Sequence, residues 1–295
     1  AFTCLAGCGA GERGGSRLKV AADIVPVADF CRWVGGDLVE VETMVPAGAN
    51  PHAFEPTTGQ MRFLSEADVL ACVGLGLTPW AEGVFEKVDN PGLVLVEAGE
   101  SLPGEELIPA LDGGHADDGH GHGLYDPHVW LDPNLAARMV ENIRDGLAAA
   151  DPGHAEVYAE NAAAYGEELR SLDAYIRGEV AGFAQRKFVS FHSSWSYFAR
   201  RYGLEQVAVI EERPGKEPSA GEIAALVELV RSQGVRAVFA EPQFSSRAAE
   251  AVAEESGGGV VVKVIDPLGD PGNPDTDSYV EMMRRAVRTM GEAMR

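Results

Sequence analysis

The chain has few cysteines, no clustered pair among them, and few positive charges. Its 295 residues include four cysteines, Cys4, Cys8, Cys31 and Cys72. They form no C-x-x-C pair, which disfavours a cysteine metal site of the zinc-ribbon kind. Cys31 falls in a predicted helix and Cys72 in a predicted strand. We expect two separate buried thiols there, while pairing stays open for an oxidising compartment.

Basic residues are outnumbered, with 24 Lys and Arg against 46 Asp and Glu, and the formal net charge is −22. So acidic a surface repels phosphates, and we therefore expect neither nucleic acid nor an anionic membrane surface as a partner. The chain also lacks a run of 18 apolar residues, which predicts no membrane-spanning helix. Hydrophobic residues make up 45% of the sequence. That share, with this length, predicts packed cores in two domains.

The first 16 residues are small and apolar, then rich in glycine and charge. Leu5–Cys8 resembles a bacterial lipobox, although no positively charged segment precedes it. We expect residues 1–16 to be the remnant of a leader followed by a flexible tether, with a lipid anchor at Cys8. A chance apolar tetrapeptide is the alternative.

From Leu18 onward, short apolar runs alternate with segments of helical periodicity. This rhythm predicts an α/β fold with mostly parallel sheets flanked by helices. Between Ala155 and Phe183 apolar residues recur every three or four positions, which predicts one long helix. We therefore expect an N-terminal lobe over residues 17–135, linking helices over 136–185 that include this long, rigid helix, and a C-terminal lobe over 186–295.

A glycine- and histidine-rich tract, residues 113–123, interrupts the first lobe. It contains little to bury, which is typical of a mobile loop. Its histidines, His115, His120 and His122, are candidates for a loose auxiliary metal site.

Three further histidines and one aspartate stand at wide, nearly even intervals, at the ends of predicted strands or in the loops that follow. They are His52, His128, His192 and Asp266. Ligands of open parallel sheets bind beyond the carboxyl ends of the strands, so a cleft between two lobes can bring such residues together. Three imidazoles and a carboxylate suit zinc first. Taken singly, each histidine is more often structural, and an aspartate before proline is more often a turn residue.

The local sequences around these four residues share a resemblance. Pro46–His52, Asp126–Pro133, Phe191–Phe198 and Ile265–Gly269 resemble, in order, the four ligand motifs of the cluster A-I (cluster 9) solute-binding proteins. These proteins serve bacterial ABC importers of zinc and manganese. The likeness covers residues 17–295. It implies an extracytoplasmic, metal-binding protein with an ABC permease as its partner, only modest lobe closure, and no enzymatic activity. We expect a monomer.

The third motif separates branches of this family, because manganese-type members usually carry Glu where zinc-type members carry His. His192 therefore indicates Zn²⁺, with Mn²⁺ as the alternative. Glu241 also ends a predicted strand and is either an acceptor for a ligand imidazole or a simple loop carboxylate. A zinc hydrolase and a surface adhesin remain rival functions. Asp266 discriminates carrier from enzyme, since a catalytic zinc keeps one position open to water.

Overall fold

The computed structural model describes residues 17–110, 123–211 and 216–295. The predicted lipobox with Cys8 lies outside these ranges. So does most of the histidine-rich tract, including His115, His120 and His122.

The N-terminal lobe is built on a sheet of four parallel strands in the order β2-β1-β3-β4. Its strands are β1 (Leu18–Ala22), β2 (Val39–Thr43), β3 (Val69–Cys72) and β4 (Val94–Glu97). The helices between them are α1 (Val25–Gly35), α2 (Thr58–Leu64) and α3 (Pro79–Phe85). Thr57 is the N-cap of helix α2. The side chains of Thr57 and Gln60 each accept a hydrogen bond from the other residue's backbone N–H, which satisfies two amides that have no helical partner.

The C-terminal lobe repeats this plan with four parallel strands in the order β6-β5-β7-β8. Its strands are β5 (Lys187–Ser190), β6 (Glu205–Val209), β7 (Ala237–Ala240) and β8 (Val261–Val264). The helices after β5, β6 and β7 are α6 (Ser196–Tyr202), α7 (Ala220–Gln233) and α8 (Arg247–Ser256). Loops at the carboxyl ends of β2, β5 and β8 carry His52, His192 and Asp266, whereas His128 lies directly before a 3₁₀ turn over Val129–Leu131.

Helices α4 (Pro133–Ala150) and α5 (Ala155–Ala181) link the lobes along the chain, and α9 (Tyr279–Met294) packs against α5, α1 and the C-terminal sheet. The 27 residues of α5 span about 40 Å. The predicted apolar stripe of α5 is buried along its whole length. It belongs to one hydrophobic core that continues from β1 through α5 to Phe188 and α9. This core is shared by residues of both lobes. The predicted two-lobe α/β fold is confirmed.

Some local features differ from expectation. His128 is expected at a strand end or in the loop after one, and Val129–Leu131, directly after it, form a 3₁₀ turn that leads into α4. Helices α3 and α6 were not anticipated. Cys31 and Cys72 are buried free thiols. No helix in the described ranges combines the length and the apolarity that crossing a bilayer requires.

Candidate metal centre

The fold brings three of the four predicted ligands together. One ring nitrogen from each of His52, His128 and His192 lies within 4.8 Å of one from each of the other two. His128 and His192 are only 3% and 4% exposed, and His52 is half-buried. The three imidazoles come from distant parts of the chain and meet at one point. They form a candidate metal centre.

His52 is presented by the loop that follows β2. The Asn50 side chain accepts a hydrogen bond from the backbone N–H of His52 at 3.0 Å and caps a short 3₁₀ turn over Pro51–Ala53. Pro51 fixes one backbone dihedral within this turn. The backbone immediately before His52 is therefore held in one conformation.

His128 is held by its near neighbour Asp126. One carboxylate oxygen of Asp126 accepts hydrogen bonds from the backbone N–H of His128 at 3.0 Å and from its ring Nδ1 at 2.7 Å. The second bond assigns the ring proton to Nδ1 and leaves the Nε2 lone pair for a metal. Asp126 is 5% exposed. We did not assign it a role from the sequence, although a carboxylate two residues before a candidate ligand was a usable signal.

His192 follows β5 and faces Glu241, which follows β7. Its Nδ1 lies 2.8 Å from Glu241 Oε2, and the Ser194 hydroxyl donates to Oε1 of the same carboxylate at 3.1 Å. The Nδ1–Oε2 pair falls outside strict hydrogen-bond geometry, but a carboxylate at this distance favours a ring proton on the Nδ1 that faces it. Burial acts to lower the pKa of His192, but the Glu241 carboxylate outweighs it and the pKa is raised.

The Nε2 atoms of His128 and His192 face each other at 3.2 Å. With both ring protons on Nδ1, two lone pairs meet at that distance, and only a shared proton or a cation makes the arrangement favourable. A tetrahedral zinc ion with Zn–N bonds of about 2.0–2.1 Å would hold two nitrogens about 3.3 Å apart. The observed separation therefore fits the metal that the donor set favours.

The fourth predicted ligand, Asp266, is held differently. Its Oδ1 accepts hydrogen bonds from the Gln243 side chain at 2.8 Å and from the backbone N–H of Leu268 at 3.0 Å. Its carboxylate lies outside the three-histidine cluster. Burial raises the pKa of Asp266, against the effect of these hydrogen bonds. Gln243 and Leu268 line the same pocket as the histidines, so Asp266 is next to the site, and its role as a ligand stays a prediction.

The walls of the site come from both lobes. Asn50 and Pro51 stand on one side, and Phe244, Pro267 and Leu268 on the other. An apolar shell limits the access of solvent to a metal site, and Pro51, Phe244 and Leu268 contribute such a shell here.

Comparison with known proteins agrees with this geometry. A family model described as "Zinc-uptake complex component A periplasmic" matches residues 20–293. The chain belongs to this family. The predicted resemblance to cluster A-I solute-binding proteins is therefore confirmed.

Some relatives are named for zinc and others for manganese. The chain is 33% identical, over 97% of its length, to the zinc-binding lipoprotein AdcA of Streptococcus pneumoniae, but covers only 58% of that protein. It is 31% identical to the manganese-binding lipoprotein MntA of Halalkalibacterium halodurans, covering 96% of this chain and 92% of that one. A crystal structure of ZnuA superposes with a TM-score of 0.82 at 32% identity, over 95% of this chain and all of the other.

Proposed function

We propose that this chain captures one Zn²⁺ ion in the cleft between its lobes and delivers it to an ABC importer. The main support is the convergence of His52, His128 and His192, in which the Nε2 atoms of His128 and His192 are 3.2 Å apart. Asp126 and Glu241 hold the outer nitrogens of two of these rings, as carboxylates do in zinc sites. Asp266 is the proposed fourth ligand.

Zinc is favoured over manganese by the donors themselves. Manganese prefers more oxygen ligands, whereas this site offers three imidazole nitrogens. The names of the zinc-binding and manganese-binding relatives make metal binding their shared property. The histidine at position 192 supports the zinc branch of the family.

The family supports the cellular setting of this function. Its description is periplasmic, and relatives are lipoproteins, which supports an extracytoplasmic location with anchoring through Cys8. An ABC permease is the partner we propose, and a monomer the working form. We propose the boundaries 17–135, 136–185 and 186–295 for the lobes and their link. The auxiliary role of His115, His120 and His122 remains a prediction.

A zinc hydrolase also uses three protein ligands, with water in the fourth position. Membership of a zinc-uptake family favours carriage over catalysis. Whether Asp266 replaces water on the metal separates the two functions. Loss of zinc affinity in Asp266→Ala would support the carrier.

Replacement of a buried ligand tests the site directly. We expect His192→Ala to weaken zinc binding at least about 100-fold, because a ligand and its lone pair are lost. His154→Ala is the matched control, since His154 is 49% exposed and contacts Asp151 at the start of α5. Calorimetry with a competing chelator, on metal-stripped protein, measures both. Equal affinities for the two variants would refute the proposed site.

A further inference from the structure

Tyr197 belongs to the C-terminal lobe but makes its hydrogen bonds in the N-terminal lobe. It lies in α6, which begins four residues after His192, and its side chain is fully buried. Its hydroxyl donates to the backbone carbonyl of Asp126 at 2.7 Å and accepts from the backbone N–H of Ile108 at 3.0 Å. The helix next to one candidate ligand thus reaches the segment that carries another.

The hydroxyl occupies a specific gap in the backbone pairing of that segment. The N–H of Asp126 donates directly to the carbonyl of Ile108 at 2.8 Å, beside an antiparallel bridge between Pro109 and Tyr125. In an antiparallel pair the two residues normally exchange both bonds. Here the return bond, from Ile108 N–H to the Asp126 carbonyl, passes through the Tyr197 hydroxyl. Tyr197 therefore bridges one of the two bonds of this pair, while the other is direct.

The position of Asp126 matters because its carboxylate orients His128. That carboxylate holds both the backbone N–H and ring Nδ1 of His128. A shift of the Asp126 backbone would move this acceptor and, with it, the ring. Burial raises the pKa of Tyr197, so its hydroxyl keeps its proton and its place in this chain of contacts at neutral pH.

A second connection fastens the other side of the His128 segment to the C-terminal lobe. Trp130 Nε1 donates to the carbonyl of Pro267 at 2.8 Å, and the Tyr279 hydroxyl donates to the carbonyl of Trp130 at 2.7 Å. His128 therefore lies between Asp126 and Trp130, each of which is hydrogen-bonded to the opposite lobe. Its register relative to His192 depends on these bonds as well as on its own lobe.

We propose that Tyr197 is a positioning residue of the metal site, which keeps His128 in register with His192 by fixing the backbone of Asp126. This inference rests on the proposed zinc site. In Tyr197→Phe the ring still fills its place, but the hydroxyl is lost. Ile108 N–H and the Asp126 carbonyl then either lose their partner or close directly on each other, and either change displaces the Asp126 carboxylate from His128.

Tyr202→Phe is the matched control, because it removes a hydroxyl from the same helix. The Tyr202 hydroxyl donates to Asp173 at 2.9 Å, in α5 rather than in the metal segment. Both variants keep an aromatic ring in a buried place. Thermal unfolding of the metal-free proteins reports the general cost of losing such a hydroxyl.

Two measurements on the full chain test the inference. Stopped-flow competition with a chelator gives the zinc dissociation rate and, with equilibrium titration, the dissociation constant. Loss of support to a metal-bound histidine typically costs 10–100-fold in affinity. For Tyr197→Phe we expect a rise in Kd of about tenfold, carried by faster dissociation, and for Tyr202→Phe less than about twofold. Proton NMR of the metal-free proteins follows the His128 Nδ1–H resonance, which we expect to shift or broaden only in Tyr197→Phe.

Equal zinc affinity in the two variants would overturn the inference, and so would an unchanged His128 resonance in Tyr197→Phe. The proposed function fails separately if His192→Ala binds zinc like the unaltered protein. The NMR measurement needs no zinc, so it judges the positioning of His128 independently of that result.

Discussion

Glu241 offers the sharpest test of how the protein tunes a metal ligand. Glu241→Gln keeps the size of the side chain and removes its charge. The amide oxygen can still accept from His192, and the amide group can donate to the Ser194 oxygen, so packing is preserved. The variant therefore isolates the charge that lies 2.8 Å from His192 Nδ1.

Two effects of opposite sign follow from this loss of charge. The carboxylate makes His192 a stronger ligand, and removal of such support costs about 10–100-fold in affinity, or about 1.4–2.7 kcal/mol. The carboxylate also raises the pKa of His192, so it favours the protonated ring that cannot bind metal. Without it, burial is opposed only by the smaller effects of Asp126 and Glu211, so the pKa of His192 falls.

The sign of the pH dependence is therefore fixed. At pH 8, the end of the range where protons compete least, Kd of Glu241→Gln should exceed that of the unaltered protein by about 10–100-fold. As the pH falls toward 6, protons compete first in the unaltered protein, so the ratio of the two Kd values should shrink. Chelator-competition titrations across this range measure the ratio. Glu254→Gln, at an exposed position in α8, is the control.

A ratio that stays constant or grows as the pH falls would refute the assigned role of Glu241. An unchanged affinity at pH 8 would do the same for its contribution to ligand strength.

Two further predictions concern stability. Burial raises the pKa of Asp23 to about 7, although the backbone N–H groups of Val73 and Ile24 donate hydrogen bonds to its carboxylate. The folded protein therefore holds this proton more tightly than the unfolded chain. The free energy of unfolding should fall as the pH rises from about 4 to about 7. Asp23→Asn should flatten the melting-temperature profile of the metal-free protein over that range, and an unaltered slope would contradict this. Gly146→Ala should lower the free energy of unfolding by about 1–3 kcal/mol, because the new Cβ would lie 2.2 Å from Val96. Gly178→Ala, in open space on α5, should instead raise it by about 0.4–1 kcal/mol in urea titrations, and equal effects would show that the close approach of Gly146 is unimportant.

The sequence predicted those parts of the fold that depend on periodic patterns. Parallel strands and the long helix follow from apolar spacing, and His192 lies just beyond a strand as expected. Helix α4 was not separately predicted, although Asp132 as cap and Pro133 as first residue are clear start signals. Short helices such as α6 carry too few residues for periodicity to define them.

The sequence indicates which histidines could come together, and the fold brings these three together, but the contacts that support them could not be predicted. His128 does not follow a regular strand; it precedes a 3₁₀ turn, and its place depends on bonds from Tyr197 and to Pro267 in the other lobe. Such contacts join residues about 70 to 140 positions apart and leave no local pattern. The hydrogen bond from the Gln243 side chain to Asp266 could not be predicted either, because each residue alone resembles an ordinary loop side chain.

Anomalous diffraction at the zinc absorption edge, from crystals of zinc-loaded protein, tests the proposed capture site most directly. We predict one strong peak about 2.0–2.1 Å from the Nε2 atoms of His128 and His192 and in bonding contact with His52. A zinc peak elsewhere in the molecule, with none between these three rings, would contradict the proposed metal centre.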